Sequence, residues 1–432
     1  MKRVLIIGAD FAPSSLPPAT RIRFFASHLH EFGWQPVVLT TEPSYYESVV
    51  DPENDRLLPR SIEIIRTRAL PAALTRTIGI GDIGMRSLWH HWRALASIIK
   101  EQKINLIFIP VPPSVPMILG RLANMRFKVP YVIDFIDPWV TEYYWKLPKK
   151  QRPKKWLISY AVSRCIEPFA LKRVQHITAV SRGTTEEVLK RYPWLSAEQA
   201  TEIPYGGEAG DFDYLRNNPR DNKIFDPADG YLHVCYVGAY TDPMKGALCA
   251  LFAAFRLGLE QNPRLFERLR LHFVGTTYST NGIDPFRVTK VARDCNVSEW
   301  VTEHPQRIPY LDSLKTIVDS HGLVLLGSDE RHYTASKVFP YLLAQRPLLA
   351  IFHEDSSVID ILRKARTGRV VSFNSVRGAS ERIEDIFENL KEMLSEVHEP
   401  QVVEDAFESY TAKAMAARLA KAFDSALLSH SA

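Results

Sequence analysis

Met1-Lys-Arg-Val-Leu-Ile-Ile-Gly8 is a short β-branched run closed by glycine, the pattern of a buried parallel strand feeding a loop. Similar runs recur at 37–40, 62–65, 106–110, 131–134 and 177–180, with amphipathic stretches such as 21–32 and 88–100 between several of them. Alternation of this kind predicts a doubly wound α/β sheet. After Ile203-Pro-Tyr-Gly-Gly-Glu208 comes a polar stretch, 211–230, that reads as an interdomain linker. Leu232-His-Val-Cys-Tyr-Val-Gly238 then opens a second strand series, continued at 271–275, 300–304, 322–327, 347–352 and 369–373. In the tail, Phe407, Met415, Leu419, Phe423 and Leu427 fall close to one helical face. The expected organisation is therefore a Rossmann-like domain over 1–210, a linker over 211–230, a second Rossmann-like domain over 231–400 and a closing helix over 401–432. Two such domains are expected to face across a cleft, because doubly wound folds bind ligands at the carboxyl ends of their strands.

Composition narrows the function classes. Over 432 residues the formal charge is only +5, too mild to predict wholesale nucleic-acid binding. No apolar run approaches the eighteen or so residues of a membrane span, and the run at 4–7 is too short for a signal-peptide core, which predicts a cytoplasmic location. Cys165, Cys235, Cys249 and Cys295 form no CxxC pair, so neither a zinc site nor a disulfide framework is expected, and they read as reduced core thiols. Gly8 ends the first strand without a GxGxxG fingerprint, against a nicotinamide or flavin enzyme; it reads as a ligand-approach glycine or as a plain tight turn.

Several segments carry a more specific signal. Tyr236-Val-Gly-Ala-Tyr-Thr-Asp-Pro-Met-Lys-Gly246 is followed by Leu271-His-Phe-Val-Gly275, Gly322-Leu-Val-Leu-Leu-Gly327 and Thr334-Ala-Ser-Lys-Val-Phe-Pro-Tyr-Leu-Leu-Ala-Gln-Arg-Pro-Leu-Leu-Ala350. In order and spacing these resemble the C-terminal domain of retaining family-4 glycosyltransferases of the GT-B fold. The bacterial polysaccharide subgroup, with its Ser-Lys-aromatic-Glu-Tyr-Leu signature, is the nearest match. Pro18-Ala-Thr-Arg-Ile-Arg-Phe-Phe-Ala-Ser-His-Leu29, Ile133-Asp-Phe-Ile-Asp-Pro-Trp139, Ala179-Val-Ser-Arg182 and Ile203–Glu208 look like that family's first domain.

The resemblance implies a hexosyl-type transfer from a nucleotide-sugar, UDP- or GDP-linked, to a saccharide or lipid-linked saccharide acceptor. It further implies retention at the anomeric carbon, no metal and no bound cofactor, and a C-terminal helix crossing back to the first domain. A departing diphosphate must then be stabilised by cations and helix N-terminal amides. Lys245 and Gly246 match the family's phosphate-contacting pair, with Gly238 at the strand end; Lys245 is the expected main cation. Where the family usually has Arg, this chain has Ala239, so Lys337, Arg21 or Arg23 is expected to supply the second charge. Pro340 replaces the subgroup's ribose-binding glutamate. His332 falls on the preceding acidic position with Glu330 nearby, and Ser336 and Tyr341 remain as ribose readers.

Asp134 and Asp137, after a first-domain strand, are expected to orient a hydroxyl or accept a proton, Asp134 foremost; an Asx turn is the competing account of Asp137. Ser356 and Ser357 offer phosphate donors or a plain helix cap. Between Tyr143 and Gln175 nine Lys/Arg, Trp145 and Trp156 accompany one acid, which suits either an anionic membrane surface at the inner face of the cell membrane or a solvated helix face. Ala239 and Pro340 keep a degenerate, non-catalytic partner subunit open as an alternative, and an epimerase of the same fold is another.

Overall fold

The computed structural model describes all residues except 48–49, 142–144, 146–151, 153–155, 278–284, 330–334, 375–377, 396–406 and 432. It consists of two compact units, Met1–Tyr205 with Ala412–Ala432, and Gly206–Thr411.

The first unit is built on a parallel sheet of β1 (Lys2–Ile7), β2 (Trp34–Thr41), β3 (Glu63–Thr67), β4 (Leu106–Val111), β5 (Tyr131–Phe135), β6 (His176–Ala179) and β7 (Ala200–Glu202), in the order β3-β2-β1-β4-β5-β6-β7. Its central strands are wholly buried, as their unbroken apolar runs require when helices cover both faces. The principal helices of this unit are α1 (Pro17–His28), α2 (Ile83–Glu101), α3 (Met117–Phe127), α4 (Trp156–Leu171) and α5 (Arg182–Arg191). One face of the sheet packs against α2, α3 and the end of α4 through Leu95, Met117, Leu119 and Leu171. The other face packs against α1 and against the C-terminal helix, which crosses back to this unit. There Phe423 lies edge-on to Trp34 and Phe108, at 5.1 and 5.2 Å between ring centroids. Met415, Leu419 and Phe423 of the expected stripe are fully buried on that helix, whereas Phe407 precedes it and belongs to the second unit.

The second unit contains α6 (Ala209–Asn217), β8 (Leu232–Val237), α7 (Lys245–Gln261), β9 (Leu269–Val274), α8 (Arg287–Asp294), β10 (Val301–His304), α9 (Tyr310–Asp319), β11 (Gly322–Leu326), α10 (Val338–Ala344), β12 (Leu348–His353), α11 (Ser357–Ala365), β13 (Arg369–Phe373) and α12 (Ile383–Ser395). The C-terminal helix of the first unit is α13 (Ala412–Ser431). All six strands are parallel, in the order β10-β9-β8-β11-β12-β13.

Residues 211–230, read above as a linker, are instead part of the second unit. Asp211 accepts from Tyr310 Oη at 2.7 Å, Arg220 pairs with Asp312 at 2.7 Å, and Asn222 donates to Asp319 at 3.2 Å. Several of these polar side chains serve such pairings, while most of the stretch remains exposed. Of the cysteines, Cys235 is a buried thiol pushed up to about 12 by desolvation, but Cys165 is exposed and so is no core residue.

Candidate functional site

In a doubly wound sheet the loops diverge where strand order reverses, which opens a crevice at the carboxyl ends of the two strands concerned. That point lies between β1 and β4 in the first unit and between β8 and β11 in the second.

At the first switch point, Gly8 has no room for a side chain. A Cβ there would sit 2.3 Å from Ile22 Cδ1 of α1, so this glycine lets the helix pack closely on the strand end. Arg21 and Asp134 also depart from the expected roles. Arg21 Nε donates to Asp134 Oδ2 at 2.7 Å and Nη2 to Oδ1 at 2.9 Å, and both side chains are fully buried. The remaining donors of Arg21 satisfy the carbonyls of Pro204 and Ile203 at 2.9 and 2.8 Å, and Thr178 Oγ1 donates to Asp134 at 2.6 Å. The pair cancels its own charge and offers no surface to a substrate; it ties α1, β5, β6 and the segment after β7 together. Arg23 is likewise buried.

Asp137 is different. It is exposed beyond β5 and makes no hydrogen bond or ion pair among the described residues. A second carboxylate, not among the site residues expected from the sequence, stands at the strand ends: Asp10, three residues past the end of β1. Asp10 is 5% exposed, and burial and the Asp82 charge push it up to about 6, partly offset by Arg86. Asp82 caps α2 by accepting from Met85 N–H at 2.9 Å, and Arg86 is locked onto the carbonyls of Leu70 and Tyr45 at 3.0 Å each. A carboxyl poised near neutral pH at a switch point suits orientation of a hydroxyl or transfer of its proton.

The sign of its stability effect follows from that shift. Protons bind the folded Asp10 more tightly than the unfolded one, so it destabilises the fold increasingly as pH rises from about 4 to 6 and to a constant extent above. Two pKa units at ~1.4 kcal/mol each give about 3 kcal/mol. Asp10→Asn is accordingly expected to raise thermal stability by up to about 3 kcal/mol at pH 7.5, with the gain vanishing below pH 4. Melting curves of the two proteins across this range check it, and a gain independent of pH would refute the assignment.

At the second switch point the side chains converge on Lys337, at the start of α10. Its Nζ bonds Tyr236 Oη and donates to the Ala239 carbonyl at 3.3 Å, lying 4.0 Å from the centre of the Tyr236 ring. Burial and the nearby Arg307 charge lower its pKa to about 7. Gly238, at φ +143°, makes room for it: a Cβ there would lie 2.8 Å from Lys337 Cε. Lys337 therefore occupies the space beside Ala239, and Arg307 in the β10–α9 loop adds a charge to which no motif pointed. Lys245 opens α7, exposed and without a partner among the described residues; Gly246 follows it, 3.4 Å from Asp329 Oδ1 by its would-be Cβ. The positive end of this seventeen-residue helix lies beside that cation; the Lys245 N–H itself is bonded to the Asp242 carbonyl of the preceding turn.

Other expected donor contacts resolve differently. Tyr341 is fully buried, its hydroxyl accepting from Val237 N–H at 2.6 Å, so it pins α10 to β8 and reads no ribose. Ser356 is the N-cap of α11, accepting from Val358 N–H at 3.3 Å, and Ser357 follows as the first helical residue. Ser336 is half-buried at the turn before Lys337. Pro340 sits in the first turn of α10, where its missing N–H breaks no helical bond. Glu330 and His332 lie outside the described residues, as do Tyr143, Tyr144, Lys146, Lys149, Lys150, Lys154 and Lys155.

With this geometry in view, comparison with known proteins is informative. Residues 18–206 match the glycosyl transferase 4-like domain. No curated protein matches the chain by sequence. Among solved structures, a glycosyltransferase from Rickettsia africae aligns with TM-score 0.61 at 14% identity, covering 99% of this chain and 98% of that one. The sucrose-phosphate synthase of Thermosynechococcus elongatus aligns at 0.60 and 14%, covering 98% of each. HepE of Anabaena, solved in complex with UDP and glucose, aligns at 0.61 and 11%, covering 98% of this chain and all of that one. Residues 18–206 thus match the glycosyl transferase 4-like domain, and the chain has the fold of the GT-B glycosyltransferases.

Proposed function

We propose that the chain is a retaining, metal-independent glycosyltransferase that moves a hexosyl group from a UDP- or GDP-sugar to a saccharide or lipid-linked saccharide in polysaccharide assembly at the cytoplasmic face of the membrane. The observation that carries this is the convergence of Lys337, Arg307 and the Lys245 helix terminus on the carboxyl ends of β8 to β11. A binding diphosphate takes up negative charge as the sugar leaves, and fixed cations and amides in a poorly hydrated site stabilise that charge without reorganising. Lys337, whose Nζ donates to the Ala239 carbonyl, is the cation assigned to the role that Ala239 cannot fill. The solved relative that binds UDP supports this ligand class. Asp10 and Asp137 in the first unit are the groups assigned to the acceptor hydroxyl.

The test is a thermal-shift and calorimetry panel of UDP, GDP, dTDP and their sugar conjugates. A ligand at about a hundred times its Kd adds roughly 2.7 kcal/mol, enough to raise Tm by a few degrees. Lys245→Ala is expected to lower donor turnover with Tm unchanged. A folded protein that ignores the whole panel would favour a non-catalytic partner subunit instead, and epimerisation of the sugar-nucleotide without acceptor would favour an epimerase.

A further inference from the structure

Helix α4 is built inside out. Its sequence, Trp156-Leu-Ile-Ser-Tyr-Ala-Val-Ser-Arg-Cys-Ile-Glu-Pro-Phe-Ala-Leu171, is the most apolar of the first unit's helices, yet it buries Ser163 and Glu167 along with Ala170 and Leu171. Glu167 is held there by Arg191 at 3.0 Å and Tyr192 Oη at 2.8 Å. The opposite side carries Ile158, Ala161, Cys165 and Phe169, which at 100° per residue fall within an arc of about 80°. Ile158 is 66% exposed and its neighbour Leu157 is 54% exposed. A helix of a water-facing surface turns the other way, so this stripe is adapted to something other than water.

The surroundings say what. Near the start of the helix Trp145 packs edge-on against Trp156, 4.6 Å between centroids, and stays half exposed. Met125 on the neighbouring α3 adds a further exposed apolar side chain. Around these stand exposed cations: Arg126, Lys128, Arg164, Lys172 and Arg173. The described acids of residues 117–176 are Asp134, Asp137 and Glu167, and the first and last are already neutralised by Arg21 and Arg191. A second copy of the same face would bring like charges together. Lipid phosphates complement them, and the apolar stripe matches the boundary between headgroups and acyl chains.

We propose that this face of the first unit docks on an anionic lipid bilayer, with Leu157, Ile158 and Phe169 entering the boundary region and Arg164, Lys172 and Arg173 meeting phosphates. No helix among the described residues is long and apolar enough to cross a membrane, so the attachment is peripheral. It stands whether or not the chain transfers a sugar.

Sedimentation of the full chain with phosphatidylcholine vesicles, with and without about a third phosphatidylglycerol, tests this. Binding is expected only to the anionic vesicles and is expected to weaken with salt. Leu157→Glu with Ile158→Glu is expected to weaken it more than tenfold, and Arg164→Gln, Lys172→Gln and Arg173→Gln by about fivefold per charge removed. These side chains are exposed, so melting curves should coincide with the parent's; the paired serine variant replaces any glutamate variant that fails to fold. A parent protein that stays in the supernatant, or a glutamate variant that sediments like the parent, overturns the proposal. Self-association abolished by Ile158→Glu in a protein that ignores vesicles overturns it in favour of a second copy.

Discussion

Asp134→Ala is expected to destabilise the first unit by about 3–5 kcal/mol, because it leaves the Arg21 guanidinium buried and uncompensated. The desolvation of both charges is already met in the folded state by two charge-assisted bonds between them, by Thr178 and by two carbonyl acceptors. Removing the carboxylate strips Arg21 of its counter-ion and leaves Thr178 Oγ1 without its acceptor. Arg21→Ala should cost a comparable amount, since it abandons Asp134 and the carbonyls of Ile203 and Pro204 together. The two effects are not additive: in the double variant neither charge is left alone, so its loss should fall short of the sum of the single losses by more than 1 kcal/mol. Denaturant melts of the four proteins measure this. Asp134→Ala with an unchanged midpoint and abolished transfer would mean that this carboxylate acts on substrate after all.

Residue types at the strand ends were legible from the sequence, but which of them face each other was not. Parallel strands buried on both sides must be apolar throughout, so the runs at 4–7, 106–110 and 322–327 announce themselves. The edge strand β7, Ala200-Thr-Glu202, has no apolar run and gave no such signal. Asp134 and Asp137 are three residues apart on one motif, yet one is sealed beneath Arg21 and the other stands exposed; the partner that decides between them lies 113 residues away. The stretch 211–230 misled for a related reason, since polar residues that pair with Asp312 and Asp319 have the same composition as residues that face water. Lys337 was legible through its Ser-Lys motif. Arg307 was not, because it belongs to the cluster only through the packing of one strand-end loop against the next.

Lys337→Met is expected to lower transfer by about 10²–10³-fold, the usual loss when one fixed donor to a developing anion is removed. Its pH signature distinguishes it from Lys245. In the empty protein Lys337 is lowered to about 7 by burial and by Arg307, so at pH 8 most molecules hold it as a neutral amine. A diphosphate binds the ammonium form, and its charge reverses the penalty that burial and Arg307 impose. Only the protonated fraction is competent, so the apparent Kd for the nucleoside diphosphate should rise towards tenfold per pH unit above 7 and level off below it. Binding above pH 7 should also take up a proton, visible as a dependence of the calorimetric heat on buffer ionisation. In Lys337→Met both signatures disappear, whereas Lys245→Ala, which leaves Lys337 in place, should weaken binding and keep both signatures. Gly238→Ala probes the same contact from the other side: its Cβ displaces Lys337 Cε from 2.8 Å and strains a backbone at φ +143°, so it should weaken binding without touching any cation directly. A parent protein whose affinity is flat from pH 6 to 9 would place the diphosphate away from Lys337 and return the main role to Lys245.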